Sequence, residues 1–328
     1  MKKEKAQGSR SSVQERISLS PGWPLLVQPR AERAVEACEA AIHDVAEKRL
    51  HREGALLLRG FEVHGERGFQ RFARSFGHEL LSYDFGSTPR SKLEAGVYTS
   101  TEYPPHQAIP LHNEQSYTLQ WPMKIWFHCM QAAPVGGQTP IADSREIHRR
   151  IDAAVRERWA RRGLLYVRNY GGGLDLPWQR AFNTDDRAEV ERYCRAQRIG
   201  YEWKADGELR TRQVCPAVMR HPVTGEAVWF NQAHLFHVST LAPAVREALL
   251  AVVGDEAALP RNVYRGDGSP IDDTLLDEVR AVLDACAVRF DWQPGDVLML
   301  DNMLVAHGRS TFEGARKVIV AMAEPAHA

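Results

Sequence analysis

Cysteine is scarce and scattered in this chain. The five residues, Cys38, Cys129, Cys194, Cys215 and Cys286, form no CxxC pair. A disulfide framework and a cysteine zinc site are therefore not expected, and the thiols read as reduced. An excess of charge of one sign is also missing: Lys plus Arg and Asp plus Glu are 42 each, for a net charge of zero. Nucleic-acid binders carry a basic excess, so no nucleic-acid partner is expected. No apolar run reaches the roughly 18 residues that a transmembrane helix needs, so no membrane association is expected. The opening MKKEKAQGSRSS is polar, with no apolar segment after it, so no secretory signal is read and the expected location is cytoplasmic. The triplet Gly171-Gly172-Gly173 lacks GxGxxG spacing and reads as a loop, not a dinucleotide site. Internal repeats and low-complexity segments are absent.

What remains is 328 residues with 44% hydrophobic content, enough for a large buried core. Residues 1–18 are polar and predict a disordered tail; residues 19–328 predict one domain. Its first part, about 31–80, predicts helices packed on one edge strand. AERAVEACEAAIHDVAEKRLH (31–51) has helical apolar spacing, Gly54 breaks it, ALLLRGF (55–61) reads as the strand, and ERGFQRFARSF (66–76) as a second helix. From about 95 to 323 the texture becomes short apolar or alternating runs between turns. These include GVYTST (96–101), KIWFHCMQAA (124–133), GLLYVRNY (163–170), QVCPAVMRH (213–221), AVWFN (227–231), DVLMLD (296–301) and KVIVAMA (317–323). Helical inserts are expected at 144–162, 242–253 and 272–288. The predicted class is mainly β with helical inserts, a double-stranded β-helix or cupin-like jelly roll.

Within IPLHNEQSY (109–117), His112 and Glu114 stand two apart. On a strand, such residues share a face. With a distant histidine they would supply two imidazoles and a carboxylate to one side of a metal ion. That donor set leaves open positions and suits non-haem Fe(II). His307, in WQPGDVLMLDNMLVAHGRSTFEGARKVIVAM (292–322), is the candidate third ligand. An HxE pair alone is weak, because such pairs arise by chance. His234 and His237, in NQAHLFH, read as packing or pocket residues and are not assigned to metal. Asp301 and Asn302 read as turn or supporting groups behind the ligands. Trp121, Trp126 and Phe127 read as core or cavity wall.

Together, IPLHNEQSY, PVGGQTPIADSR (134–145), RHPVTGEAVWFN (220–231) and the 292–322 segment resemble the TauD/TfdA-like family of 2-oxoglutarate oxygenases, in family order over about residues 50–323. They look closest to its SyrP-like branch, associated with nonribosomal peptide and modified amino-acid biosynthesis. The resemblance implies a double-stranded β-helix and a metal triad of His112, Glu114 and His307 for Fe(II), with 2-oxoglutarate and O2 as co-substrates. Glu114 stands where much of the wider family has Asp, and retention of a carboxylate speaks against a halogenase. The resemblance also implies that Arg316 binds the distal carboxylate of 2-oxoglutarate, assisted by Thr139. A guanidinium does this bidentately. Lys317, beside Arg316, would face the other way on a strand. Gln115, Asn231 and Arg309 are candidate substrate contacts.

The activity this implies is hydroxylation of an unactivated carbon of an amino acid, free or tethered to a carrier protein. Desaturation, epoxidation and catabolic oxidation of sulfonates or aryloxy acids are the alternatives within the family. A zinc hydrolase fits the donor set less well, since no HExxH occurs; a non-catalytic jelly-roll protein is the remaining alternative. The basic segment RERWARR (156–162) reads as a solvated helix face, with docking of an acidic carrier protein as the second reading. A homo-oligomer is compatible with this composition.

Overall fold

The computed structural model describes residues 16–82, 91–100, 103–171 and 173–328. Most of the expected N-terminal tail, residues 1–15, lies outside the described residues, as does Gly172. Ile17 and Ser18, also assigned to that tail, instead begin a strand, Ile17–Ser20.

The central element is a sheet of eight strands. Their spatial order is Ile17–Ser20, Leu25–Pro29, Ala55–Leu58, Val297–Asp301, Gln120–Gln131, Lys317–His327, Val97–Thr99 and Lys92–Glu94. The strand Ala55–Leu58 is therefore interior, not the edge strand expected. It runs parallel to Leu25–Pro29 on one side and antiparallel to Val297–Asp301 on the other. The expectation failed because ISLS and LLVQP are too short, and too close to Gly22, Pro24 and Pro29, to stand out as strands.

Alternation along the strands decides what each face covers. Leu56, Leu58, Trp126, Val297, Met299, Ile319 and Ala321 point one way, onto the helices Val35–Glu53 and Gly65–Arg74. Leu57, Ile125, Phe127, Cys129, Leu298, Val318 and Val320 point the other way. There they meet Ile141 and Val305 from a three-stranded sheet ordered Ile109–His112, Val305–Arg309, Ile141–Asp143. Burial on both faces explains why IWFHCM reads as an unbroken apolar run and not as an alternating one. These two sheets sandwiching one core are the jelly roll that the sequence predicts.

A separate four-stranded sheet, in the order Gly200–Trp203, Leu209–Cys215, Leu164–Tyr170, Arg261–Arg265, builds a second apolar cluster with the inserted helices. The helix expected over 144–162 is two, Ser144–Arg150 and Ala153–Arg162. Asp143 and Asp152 each accept two backbone N–H groups at a helix start, and an N-cap is where a helix begins. The helices Trp178–Phe182 and Arg187–Ala196 were not expected; the first is only five residues long and the second, RAEVERYCRA, is rich in charge. Among the described residues no helix is long and apolar enough to cross a membrane.

The helix Val35–Glu53 buries Val35, Cys38, Ala41, Ile42, Val45, Ala46 and Leu50, a stripe at steps of three and four. It ends at Gly54, whose φ of 75° is left-handed and whose N–H reaches Leu50 O. A Cβ there would stand 2.7 Å from Cγ2 of Val305, on the strand that carries His307. Gly54→Ala is accordingly expected to cost about 2 kcal/mol through backbone strain and overpacking together. Urea unfolding of the two proteins measures this, and equal midpoints would contradict it.

Candidate metal centre and cosubstrate cavity

The two sequence-predicted histidine ligands meet because their strands pair. His307 stands directly opposite His112 in the antiparallel ladder, and their ring centroids lie 4.6 Å apart. Directly opposed residues project to the same face of the sheet. Pro110 O accepts a hydrogen bond from His112 Nδ1 at 2.9 Å. A carbonyl only accepts, so the neutral ring carries its proton on Nδ1 and its lone pair on Nε2.

Glu114 arrives by another route. The strand ends at His112, so alternation along a strand does not place Glu114. A turn does, with Gln115 at a φ of +56°, and the turn is held from across the sheet. Glu114 N donates to Asn302 Oδ1 at 2.7 Å, and Asn302 Nδ2 returns a bond to Glu114 O at 2.9 Å. The same Nδ2 reaches Pro122 O at 2.8 Å. Asn113 Nδ2 donates to Asn302 O and to Ser144 Oγ, while Gln232 Nε2 donates to Asn113 O. The result puts Glu114 Oε2 3.9 Å from His307 Nε2, and one donor atom of each of the three residues lies within 4.8 Å of the others. Two imidazoles and one carboxylate from one wall suit a divalent iron and leave the opposite side for other ligands.

That opposite side is a cavity lined by His112, His307, Phe127, Thr139, Arg309 and Arg316, among others. Arg316 donates to Gly137 O at 2.9 Å and to Ser100 Oγ, and makes no ion pair among the described residues. Burial and then the neighbouring Arg309 guanidinium push its pKa down to about 10, so it is still cationic at neutral pH. Gly137, at a φ of +72°, lets the chain pass so close that a Cβ would lie 3.0 Å from Arg316 Cδ. Lys317 turns away to Glu66. Thr139 Oγ accepts from Trp292 Nε1 at 3.0 Å, which leaves its own proton to be donated elsewhere. A half-buried cation with no counter-ion among the described residues and a hydroxyl with a proton to give are complementary to a carboxylate.

The three expected substrate contacts are placed differently. Arg309 lines the cavity but spends its donors on Tyr103 O, Pro104 O and Gln107 O, at 2.8–3.0 Å, so it clamps a loop. Asn231 is buried with its amide between Ala217 O and Ala233 N, where it fixes the chain after a strand. Gln115 lines a separate cavity on the far side of the Glu114 turn. Ser100 and Trp292 are the site residues that sequence reasoning missed. Trp292 lay within a recognised block, but nothing marked Ser100. On the helix Ala153–Arg162, Arg161 approaches Glu157 and Arg162 pairs with Asp267, the arrangement of a solvated face.

A second cluster, His51, His221 and Asp301, also brings its polar atoms within 4.8 Å. Its hydrogen bonds argue against a metal. His221 Nδ1 accepts from Val223 N and Thr224 N, so Nε2 must be the protonated atom that donates to Asp301 at 3.0 Å. Asp301 Oδ1 accepts from Met303 N and Leu304 N. Burial alone would raise the Asp301 pKa, but the bonds from His221 and His51 outweigh it and hold the carboxyl below its usual range. The cluster thus fixes the turn that presents Asn302.

Comparison with known proteins agrees with this layout. The family described as "Taurine catabolism dioxygenase TauD, TfdA family" matches residues 32–322. The chain belongs to the TauD/TfdA family. It is an Fe(II)- and 2-oxoglutarate-dependent dioxygenase. Dapdiamide synthesis protein DdaC of Enterobacter agglomerans is 41% identical over 316 residues, 96% of this chain and 95% of that protein. Clavaminate synthase-like protein At3g21360 of Arabidopsis thaliana is 32% identical over 286 residues, 83% of this chain and 82% of that protein. Among solved structures, PvcB of Pseudomonas aeruginosa, described as an Fe, α-ketoglutarate-dependent oxygenase from an isonitrile synthetic pathway, superposes with a TM-score of 0.53. It covers 94% of this chain and 92% of its own at 18% identity, a likeness of fold.

Two predictions follow from the geometry of this TauD/TfdA site. Asn302→Ala removes the carboxamide that ties down Glu114. It is expected to weaken Fe(II) binding about ten- to hundredfold and to cost roughly 3 kcal/mol of stability. Equilibrium dialysis of iron and urea unfolding read the two effects; unchanged iron affinity would contradict the first. His234 donates from Nε2 to Leu111 O at 2.7 Å, and burial lowers its pKa from 6.5 to about 4. Between these values the unfolded chain binds a proton that the folded chain refuses. Stability is therefore complete above the upper value and falls as pH drops toward the lower one, by at most about 1.4 kcal/mol per unit. Metal-free protein unfolded in urea at the two ends of that window should show the loss, and His234→Asn should shrink it.

Proposed function

We propose that His112, Glu114 and His307 hold the iron, that Arg316 and Thr139 hold the far carboxylate of 2-oxoglutarate, and that the enzyme hydroxylates an amino acid or aminoacyl group in natural-product biosynthesis. One observation carries the reading of the site. Three donor atoms converge beside a cavity that His112 and His307 line and whose other wall presents a half-buried arginine with no ion pair among the described residues.

Iron with bound 2-oxoglutarate supplies, with O2, the oxidising power for attack on an unactivated C–H bond. The chain's own residues position the reactants. Arg316 and Thr139 grip one end of the 2-oxoacid, so its other end is directed to the histidine wall. Phe127, 5.0 Å from the His307 ring, packs an apolar surface beside the ligands and keeps water from that side. The Glu114 carboxylate leaves no vacancy for a halide at its own position, which supports oxygenation over halogenation. The 41% identity to a dapdiamide synthesis protein supports a biosynthetic role for an amino-acid-derived substrate over a catabolic one. A carrier-tethered substrate is part of the same proposal.

The test is anaerobic addition of Fe(II), then 2-oxoglutarate, to metal-free protein. A weak visible charge-transfer band that requires both additions is expected. Glu114→Ala should abolish it. Arg316→Ala should weaken 2-oxoglutarate binding by about 2 kcal/mol, roughly thirtyfold. A full-strength band in both variants would overturn the residue assignment. Amino acids and aminoacyl carrier proteins are then screened by the shift each causes in the band and by product mass.

A further inference from the structure

Thr139 lines the cosubstrate cavity, but the group that orients it stands outside. Its hydroxyl accepts from Trp292 Nε1 at 3.0 Å, and among the described residues this is its one hydrogen bond. Trp292 is not a lining residue. The bond is enclosed, with Thr139 3% and Trp292 8% exposed. It is one half of a double tie, because Gln138 Nε2 donates to Asp291 Oδ1 at 3.0 Å. Two consecutive residues of one segment thus grip two consecutive residues of the other.

The segment that carries Trp292 is itself held from a third part of the chain. Arg59, next after the strand Ala55–Leu58, donates to Asp291 O at 2.7 Å and to the Asp296 carboxylate at 2.6 Å and 3.1 Å. Asp296, which is buried, also accepts from Gln293 N at 2.9 Å. Phe290 packs edge-on against the Trp292 ring, with centroids 4.9 Å apart. These contacts fix the indole before any ligand arrives.

The direction of the bond to Thr139 is set by chemistry. An indole N–H only donates, so Thr139 Oγ accepts. A hydroxyl has two lone pairs and one proton; Trp292 occupies a lone pair, so the proton cannot point at the indole. A hydroxyl free to rotate could turn a lone pair toward the cavity, where a carboxylate would meet it unfavourably. With the indole in place, the proton is left for an acceptor on the cavity side. Hydrogen bonds in such a chain polarise and strengthen one another.

We propose that Trp292 is a positioning residue for cosubstrate binding: without touching 2-oxoglutarate, it sets the Thr139 hydroxyl as a donor to the far carboxylate. The Arg59–Asp296 pair holds the indole for this purpose. The inference rests on the assignment of Thr139 and Arg316 to that carboxylate.

The test is a double-mutant cycle, with 2-oxoglutarate binding measured by calorimetry on the Fe(II)-loaded chain without oxygen. Thr139→Val removes a hydrogen bond to a charged group and should weaken binding about ten- to hundredfold. Trp292→Phe should weaken it about three- to tenfold, and should cost nothing further when Thr139→Val is already present. Thr139→Ser keeps the hydroxyl and should restore both the affinity and its dependence on Trp292. An equal loss from Trp292→Phe in both backgrounds would mean that the indole acts by packing alone, and would overturn the proposal. A second measurement keeps Trp292 in place. In the full chain loaded with diamagnetic Zn(II), saturating 2-oxoglutarate should move the Trp292 indole ¹⁵N–¹H signal downfield as the chain of bonds tightens, and Thr139→Val should abolish the shift. A signal that 2-oxoglutarate leaves unmoved would also overturn the proposal. Unchanged affinity in both Thr139→Val and Arg316→Ala would instead overturn the cosubstrate assignment itself, while the indole signal of the ligand-free chain would still report the bond to Thr139.

Discussion

One side-chain amide holds this active site in register. Asn302 forms a reciprocal pair with the backbone of Glu114 and also reaches the backbone of Pro122, so a single buried group ties its own strand end to two points of the distant 114–122 stretch. Strand pairing alone delivers His112 and His307 to one another. It cannot deliver Glu114, because the strand has already ended. Behind Asn302, Asp301 is fixed by His51 and His221 and caps its own turn. The Glu114 carboxylate thus inherits its position from a polar network that Asn302 and Asp301 anchor. Such networks are costly when half satisfied and rigid when complete, and this one accounts for nearly all its donors and acceptors.

The large sheet serves the site in a different way. Covered by helices on one face and by the small sheet on the other, it forms a stiff floor from which Phe127 and Val318 project into the cavity. Arg316 sits just before the strand Lys317–His327, where the ladder to Gln120–Gln131 shifts register. Adjacent Arg316 and Lys317 take opposite directions, as neighbours on an extended chain do, one to the cavity and one to Glu66. The guanidinium is half-buried with no ion pair among the described residues, a state that suits the dicarboxylate proposed to bind there.

Much of this was legible in the residues. The jelly roll followed from short apolar runs between turns, and the HxE pair with a far histidine followed from coordination chemistry once four blocks resembled one family. Limits appear where local signals are weak. ISLS and LLVQP were overlooked, and Ala55–Leu58 was therefore taken for an edge. Asp152 was read as part of a continuous helix, although it is a cap. Arg309 and Asn231 carry the residue types of substrate contacts, yet both are consumed by backbone carbonyls and amides. Residue type and spacing report what a side chain can do; only the packed chain reports which of its hydrogen bonds are already committed.

The distances along the chain between the paired elements have a kinetic meaning. His112 and His307 are 195 positions apart (307 − 112), and Ala55–Leu58 pairs with Val297–Asp301 across a still greater span. Contacts of such high order form late, after the entropy of closing very long loops has been met. During synthesis the first strands and both covering helices leave the ribosome long before their central partner exists. For that interval the side of Ala55–Leu58 that later pairs with Val297–Asp301 is an open edge, and an unpaired apolar strand edge is where chains of this kind aggregate. The proposed metal wall cannot capture an ion prematurely, because it does not exist until Val297–Arg309 has been made and docked.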